Sequence, residues 1–119
     1  MLELCNAGHN PPLLVGNGSV SSLSAAAPPL GLSAQTRYEP KRFRLEPEDY
    51  LFLYTDGLSE ARNDTAEEYG SARVEDALGS LRGLPAQDVV QAVLGEVESF
   101  QNGSPQIDDV TAMAIRWRG

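Results

Sequence analysis

The chain has 119 residues, which is one domain at most, and its 41% hydrophobic content is sufficient for a packed core. The formal net charge of −8 argues against a generic nucleic-acid or anionic-membrane binder, because such binding needs a basic face. No apolar run approaches the roughly 18 residues of a membrane span, and there is no signal sequence, so we expect a cytoplasmic protein. The single cysteine, Cys5, cannot form an internal disulfide and is expected to be buried.

The first half of the chain is predicted to be strands separated by turns. Residues 2–6 alternate like a strand and residues 13–16 are apolar, so a hairpin across the turn-rich residues between them is expected. Residues 17–35 are rich in Ser, Ala and Pro, which indicates a long loop. Residues 36–45 look extended, with Pro40 restricting them to an edge or bulged strand. A turn at 46–49 precedes an uninterrupted apolar strand at 50–55, which is typical of burial on both faces.

The second half of the chain has the pattern of apolar residues that is typical of α-helices. Apolar residues recur at helical spacing in residues 71–82 and 85–100, which predicts two helices, the first with Ser71 as its N-cap. Residues 110–117 alternate again and form a terminal strand. Four strands, two helices and one strand predict a single α+β domain with mainly antiparallel sheets and two helices between the last two strands.

Aspartates are predicted to meet at one edge of the sheet. Asp56 ends the strand at 50–55, and Asp108 and Asp109 precede the terminal strand. If these strands pair antiparallel, the carboxylates converge, and they repel unless a cation or proton lies between them. Oxygen ligands suit Mg²⁺ or Mn²⁺ rather than zinc. A plain turn at Asp56 and Gly57, with a solvated aspartate pair, explains the same residues, so this pattern leaves both interpretations open.

Five segments together resemble the later part of a SpoIIE-type phosphatase domain, a bacterial branch of the metal-dependent protein phosphatase type 2C superfamily. They are NAGHNPPLLV, PLGL, LEPEDYLFLYTDGLSEARN, YGSARVEDAL and DDVTAMAIR, in this order and across nearly the whole chain. Each is weak alone, whereas YTDGL with EARN and a terminal DDVT is specific as a set.

The resemblance implies a partial α-β-β-α sandwich with two Mg²⁺ or Mn²⁺ ions at one end. These ions activate a water that attacks the phosphorus of phosphoserine or phosphothreonine. Carried onto this sequence, Asp56 and Asp108 are catalytic metal ligands, and Asp109 is a metal-site residue that shapes the turn or orients water. Gly57, His9 and Asn10 border the site, although His9 has the alternative role of a structural hydrogen-bonding residue. Residues 60–63 are expected to form a flap beside the site, with a solvated loop as an equal alternative.

The sequence also departs from the family pattern. Family members carry an earlier Asp-Gly motif that bridges the two metals, and residues 1–119 contain no counterpart upstream of NAGHNPP. We therefore expect residues 1–119 to be the C-terminal portion of such a domain, with incomplete sheets and uncovered apolar surface. Self-association, for instance as a dimer, would follow from that surface.

The expected function is hydrolysis of phosphoserine or phosphothreonine on a regulatory protein, such as an anti-anti-sigma factor, under the control of an upstream sensor domain. No nucleic-acid partner is expected. Two alternatives stay open. One is a catalytically inactive phosphatase-like binding module in a signalling pathway. The other is an unrelated acidic Mg²⁺- or Ca²⁺-binding domain, for which the EF-hand spacing is missing.

Overall fold

The computed structural model describes residues 1–16, 18–24 and 27–119. In this part of the chain, the strands are β1 (Leu2–Leu4), β2 (Leu13–Gly16), β3 (Ser19–Ser22), β4 (Lys41–Phe43), β5 (Tyr50–Tyr54) and β6 (Ala112–Arg116). The helices are α1 (Asp56–Ser59), α2 (Gly70–Ser80) and α3 (Ala86–Gln101). All three lie between β5 and β6, so the predicted α+β class with two long helices before the last strand is confirmed, and the short helix α1 was not predicted.

Strand β5 is the centre of an antiparallel four-stranded sheet with the order β3-β2-β5-β6. Its register pairs Leu51 with Leu14 of β2 on one side and with Ile115 of β6 on the other. Four of the five residues of β5 are buried, and Phe52 is fully buried. The uninterrupted apolar sequence of this strand therefore reflects burial on both faces, as predicted.

The predicted hairpin between residues 2–6 and 13–16 is wrong. Strand β1 pairs instead with β4, in a separate two-stranded antiparallel sheet. Strand β2 turns into β3, with Gly16 opposite Ser19, and Gly18 supplies the positive φ of +91° that this tight turn requires. Because β3 is serine-rich and mostly exposed, it has no apolar alternation to separate it from a loop.

The loop prediction for residues 17–35 is therefore wrong at 19–22, while residues 17, 25 and 26 lie outside the described residues. The extended segment at 36–45 is reduced to the short strand β4, which begins directly after Pro40. The turn at 46–49 is present, closed by the hydrogen bond from the Asp49 amide to the Glu46 carbonyl. Cys5 was expected to be buried but is exposed, because it follows the end of the small β1-β4 sheet.

Helices α2 and α3 pack on one face of the four-stranded sheet. Their fully buried residues Val74, Leu78, Val89 and Val93 meet the inward side chains of β2 and β5 in one apolar cluster. Helix α2 begins at Gly70 with Tyr69 as N-cap and no side-chain cap, so Ser71 lies inside the helix and the N-cap prediction is wrong. Helix α3 begins directly after Pro85, close to the predicted start.

The opposite face of the sheet is apolar, and it is covered at Leu51 of β5 but open along β6. We call it the outer face, and it carries the alternate side chains of β2, β5 and β6, namely Leu14, Leu51, Leu53, Met113 and Ile115. Met113 is 55% exposed and Ile115 is 50% exposed, and Trp117, two residues further on, is 44% exposed. A sheet with one covered face and one apolar open face has a strong tendency to associate.

We predict that the 119-residue chain self-associates through the outer face. Ile115→Thr should reduce association in sedimentation velocity, because Thr keeps strand propensity while removing apolar area. Its free energy of unfolding should change by no more than about 0.5 kcal/mol, as for other exposed positions. Leu78→Ala, at a fully buried position, should instead cost about 2–5 kcal/mol in a urea titration. A wild-type chain that is monomeric at high concentration would contradict this prediction.

Candidate functional site

Thr55 connects the end of β5 to the segment that leads into β6. Its amide donates to the carbonyl of Thr111 at 3.0 Å, and the amide of Thr111 donates to the Thr55 hydroxyl oxygen at 3.1 Å. The same hydroxyl lies within donating distance of the carbonyls of Asp109 and Thr111, at 3.4 and 3.5 Å. The backbone amide and the side chain of Thr55 therefore extend the strand pairing beyond the last register pair, Tyr54 with Ala112.

Gly57 allows these two segments to touch directly. A Cβ placed on Gly57 would lie 2.0 Å from the carbonyl oxygen of Asp109 and 3.4 Å from that of Asp108. Gly57 is buried in α1, so the backbone of residues 108–109 fills the space in which any other residue would carry its side chain. The Asp-Gly pair is thus more than a turn signal, because the glycine is needed for contact between distant segments.

Asp56 and Asp108 consequently lie at the same end of the four-stranded sheet. Asp56 is the first residue of α1 and is exposed. Its Oδ1 accepts a hydrogen bond of 2.7 Å from Asn10 Nδ2, and Asp108 Oδ1 accepts one of 2.8 Å from the Asp109 amide. The predicted meeting of a strand end with a strand start is confirmed. That their carboxylates share a cation stays a prediction.

The aspartates fit part of a metal site. Within residues 1–16, 18–24 and 27–119, no three His, Cys, Asp or Glu side chains are grouped closely enough to hold an ion. Asp56, Asp108 and Asp109 therefore do not form a three-ligand site on their own. Their donor atoms are all carboxylate oxygens, which suits Mg²⁺ or Mn²⁺ that takes its remaining ligands from water or from other protein segments.

The loop before β2 forms a self-contained hydrogen-bonded turn that reaches this site. Asn6 Oδ1 accepts from the His9 amide at 2.8 Å, and Asn6 Nδ2 donates to the His9 carbonyl at 2.9 Å. His9 Nδ1 donates to the Asn10 carbonyl at 2.9 Å. These contacts give His9 a place in the structure of the loop, whereas Asn10 makes the contact with Asp56.

Asn6 is a loop-organising residue that the sequence interpretation missed. It is 7% exposed, and its side chain closes the turn at His9. Asparagine at the start of a Gly-containing turn is a recognisable signal, since its side chain commonly bonds the backbone a few residues on. Gly8 in the same loop has φ +87° and packs against Pro29, where a Cβ would lie 2.6 Å from the Pro29 ring.

A small cavity of about 110 Å³ adjoins Gly57 and Asp108. Of residues 60–63, which were predicted to border the site, the first three line this cavity. Arg62 pairs with Glu68 at 3.5 Å, and Asn63 Oδ1 accepts from the amides of Thr65 and Glu67, so this segment is a compact turn. The lining consists of Gly57, Glu60, Ala61, Arg62, Gln101, Ile107 and Asp108.

Tyr54, the last residue of β5, is buried next to the site and its phenol is uncharged. Burial raises the pKa of its phenol, and the nearby carboxylates of Glu75 and Asp56 raise it further. Its ring lies 6.1 Å from that of Phe52, and its carbonyl accepts a hydrogen bond from Asn10. The carboxylate of Asp56 therefore follows a strand end that is buried and hydrogen-bonded to Asn10.

We predict that Gly57→Ala disrupts the contact between α1 and residues 108–109. Because the added methyl would overlap a backbone carbonyl, the melting temperature should fall by several degrees, corresponding to about 1–3 kcal/mol of overpacking. The matched control is Gly95→Ala in α3, where a Cβ meets nothing within 4 Å. That substitution should stabilise the chain by up to about 1 kcal/mol through helix propensity. Equal effects of the two substitutions in thermal unfolding would refute the proposed contact.

Comparisons with known proteins agree on one family. Residues 1–118 match Stage II sporulation protein E (SpoIIE). Protein IcfG of Synechocystis is 26% identical over 115 residues, which is 96% of this chain and 18% of IcfG. The RsbU and RsbW domains of Rv1364c from Mycobacterium tuberculosis superimpose with a TM-score of 0.75 at 29% identity, covering 97% of this chain and 33% of that one.

The type 2C phosphatase domain of SpoIIE from Bacillus subtilis, solved with a fragment of its regulatory domain, has the same fold. Its TM-score is 0.79 at 20% identity, over 96% of this chain and 34% of that one. Another crystal of that phosphatase domain was presoaked with Mn. This chain spans about a third or less of IcfG, of the Rv1364c chain and of the SpoIIE chain that includes the regulatory fragment, and 56% of the Mn-presoaked phosphatase domain.

None of the helices in the described part of the chain has the length and apolarity that a membrane crossing requires. The match to the SpoIIE family extends over nearly all of the sequence, and the antiparallel sheet with its two helices superimposes on solved members. The chain belongs to the SpoIIE family of type 2C phosphatase domains.

Proposed function

We propose that residues 1–119 form the C-terminal portion of a metal-dependent protein serine/threonine phosphatase domain, with Asp56 and Asp108 as metal ligands. The observation that supports this most directly is the contact of Gly57 with the backbone of Asp109, because it brings the segment of Asp108 against the helix that begins at Asp56. The Mn-presoaked Bacillus subtilis phosphatase domain supports Mn²⁺, or the similar Mg²⁺, as the ion.

The chemistry then divides between the ions and the chain. Bound divalent ions supply a water of lowered pKa and neutralise charge on the phosphoryl oxygens. Asp56 and Asp108 hold ligand oxygens at one end of the sheet, and the Asp109 amide fixes the Asp108 carboxylate. Direct attack by water needs no covalent intermediate, so no Ser or Cys of this chain acts as a nucleophile in the proposal.

The remaining ligands are proposed to come from an upstream half of the domain. Two carboxylates recruit one ion at most with useful affinity, and a bridging water needs two ions held at a fixed separation. The Mn-presoaked phosphatase domain is nearly twice as long as the matched region, and IcfG and the multidomain structures are about three or more times longer. An upstream segment that carries the missing Asp-Gly motif would complete the ligand set and cover the outer face.

The proposed substrate is a phosphorylated regulatory protein in the cytoplasm, such as an anti-anti-sigma factor. The similarity to the RsbU and RsbW domains of Rv1364c supports a place in sigma-factor regulation. A sensor or regulatory domain upstream is proposed to control the activity, in keeping with the regulatory fragment present in the Bacillus subtilis structure.

A second candidate function is a phosphatase-like binding module without catalysis. It is favoured by the finding that the described residues contain no group of three potential metal ligands. The two candidates differ in the upstream half. If that half supplies aspartate ligands, the phosphatase is complete, and if it does not, the fold remains while the two-metal chemistry is lost.

In the protein with its upstream half present, Asp56→Asn should lower metal-dependent turnover by at least about 100-fold, because a ligand charge worth several kcal/mol in the transition state is removed. Folding should be preserved, since the amide oxygen of the new side chain can still accept from Asn10. Hydrolysis of a phosphoserine peptide with Mn²⁺ measures the loss. Asp64→Asn, at an exposed aspartate of the neighbouring turn, is the control and should keep full turnover. Unchanged turnover of Asp56→Asn would exclude the catalytic role.

The 119-residue chain alone should show little or no hydrolysis of p-nitrophenyl phosphate, even with millimolar Mn²⁺. The reason is the missing second ion site, and adding the upstream half as a separate polypeptide should restore both activity and a compact monomer. Strong Mn²⁺-dependent turnover by a monomeric chain, abolished by Asp108→Ala, would show that residues 1–119 hold the complete site. Inactivity of the upstream-complete protein would favour the binding module.

A further inference from the structure

The basic residues of this acidic chain are concentrated in one segment, residues 36–45. That segment carries four of the nine Lys and Arg residues and one of the 17 Asp and Glu residues, so its formal charge is +3. The rest of the chain, with five basic and 16 acidic residues, has a formal charge of −11. The segment therefore attracts anions, whereas the remainder of the molecule repels them.

Two of the four cations in this segment pair with glutamates, and two do not. The pairs are Arg42 with Glu3 and Arg44 with Glu46, and all four of these side chains are well exposed. Because exposed ion pairs contribute little, these pairs neutralise charge without ordering the segment.

Arg37 and Lys41 are the cations without a carboxylate partner. Lys41 Nζ donates to the Ser24 carbonyl at 3.3 Å, which leaves its other N–H groups unused. In the part of the chain that the structure describes, Arg37 has neither an ion-pair nor a hydrogen-bond partner. Both side chains are exposed, so each can donate to an incoming acceptor.

These two cations line the same cavity, which has a volume of about 200 Å³. The other lining residues are Cys5, Asn6, Ala27, Tyr38 and Glu39. The volume is below the roughly 300–1,000 Å³ that is typical of small-molecule sites. The cavity therefore suits one anionic side chain better than a whole metabolite.

The wall of this cavity is held in place by the fold. The Tyr38 hydroxyl lies within donating distance of the carbonyl oxygens of Pro28 and Pro29, at 2.7 and 3.1 Å. Pro29 in turn packs against Gly8, where a Cβ would lie 2.6 Å from the proline ring. An anion bound here meets an ordered segment, so binding costs less conformational entropy.

We infer that the cavity beside Arg37 and Lys41 is a docking site for an acidic or phosphorylated side chain on an extended segment of a partner protein. The Arg37 guanidinium offers paired N–H donors to a carboxylate or phosphate, and Lys41 adds a second positive charge. Glu39 opposes the anion and keeps the contact weak. A long polyanion or an anionic membrane would also face the acidic remainder of the chain, which disfavours both.

The inference goes beyond the proposed function, because it depends neither on metal binding nor on catalysis at Asp56. The docking site is nevertheless close to the candidate site. Cys5 lines the cavity and Asn10 contacts Asp56. These two residues are five positions apart, so the chain separates them by at most about 18 Å. A partner protein can therefore contact both places at once.

The first test measures binding of a fluorescent glutamate-rich peptide with one phosphoserine to the 119-residue chain, by anisotropy in metal-free buffer. Binding should weaken as salt is added. Arg37→Gln should weaken it about 5-fold, the upper end for one exposed ion pair, and Glu39→Gln should strengthen it. The control Arg118→Gln removes the same charge outside the cavity and should change little. No binding by wild type, or equal effects of Arg37→Gln and Arg118→Gln, would overturn the inference.

Competition in the same assay separates the possible anions. The peptide without its phosphate should bind more weakly and respond to the same variants, because carboxylates use the same donors. Inorganic phosphate that displaces the peptide at equal concentration would show a site for small ions only. An oligonucleotide of equal charge that binds more tightly than the peptide would show a nucleic-acid surface. Either result would overturn the inference.

The second test uses Cys5, which is the only cysteine of the chain, is exposed and lines the cavity. Its rate of reaction with dithiobis(nitrobenzoate), a dianion, is divided by its rate with the neutral dithiodipyridine. Arg37→Gln should lower this ratio and Glu39→Gln should raise it, whereas Arg118→Gln should leave it near the wild-type value. The phosphopeptide should protect Cys5 from both reagents. A ratio that ignores Arg37→Gln would mean that the cavity does not attract anions, and the inference is wrong.

Repeating the labelling on the upstream-complete protein shows whether the cavity stays open. Cys5 should still react with dithiodipyridine there. If the upstream half shields Cys5 from this neutral reagent, the cavity is an internal joint of the domain, and the docking role is overturned. Because neither test involves a metal ion, an inactive protein that passes both would contradict the proposed function and leave the docking site standing.

Discussion

A direct backbone contact between Gly57 and Asp109 determines the position of the candidate site. The carbonyl of Asp109 occupies the space that a side chain at position 57 would fill, and Thr55 adds hydrogen bonds to the same segment from the residue before Asp56. A contact between segments that are distant in sequence requires a long loop to close, and this closure costs conformational entropy. Here that cost is offset by the β5-β6 pairing behind the contact, so the two aspartate-bearing segments are placed by the sheet rather than by the site.

The two faces of the sheet have different roles. The inner face is complete within this chain, because α2 and α3 cover Phe52 and its neighbours with fully buried valine and leucine side chains. The outer face is apolar but open at Met113 and Ile115. The site lies at the end of this half-covered sheet, so whatever covers the outer face also comes close to the two aspartates. In the proposed phosphatase, one upstream segment would therefore both cover the outer face and complete the ligand set.

Helices and strands with a clear pattern of apolar residues were predictable from the sequence. The pairing of one strand with another was not. The buried strand β5 and the helices α2 and α3 follow from local apolar patterns, which report burial directly. The predicted hairpin failed because strand pairing depends on contacts that no local pattern encodes. The serine-rich strand β3 was assigned to a loop because its mostly exposed residues show no alternation of apolar and polar side chains.

The candidate site shows the same division at the level of single residues. By itself, the sequence indicated the candidate site residues, which are the Asp56-Gly57 pair after a buried strand and the Asp108-Asp109 pair before the last one. Only the tertiary structure decided that Gly57 is a packing contact, that His9 serves the loop, and that Asn10 holds Asp56. The physical reason is that a residue type fixes donors, acceptors and volume, whereas their partners come from segments far away in the chain, brought together by the antiparallel pairing of β5 with its neighbours.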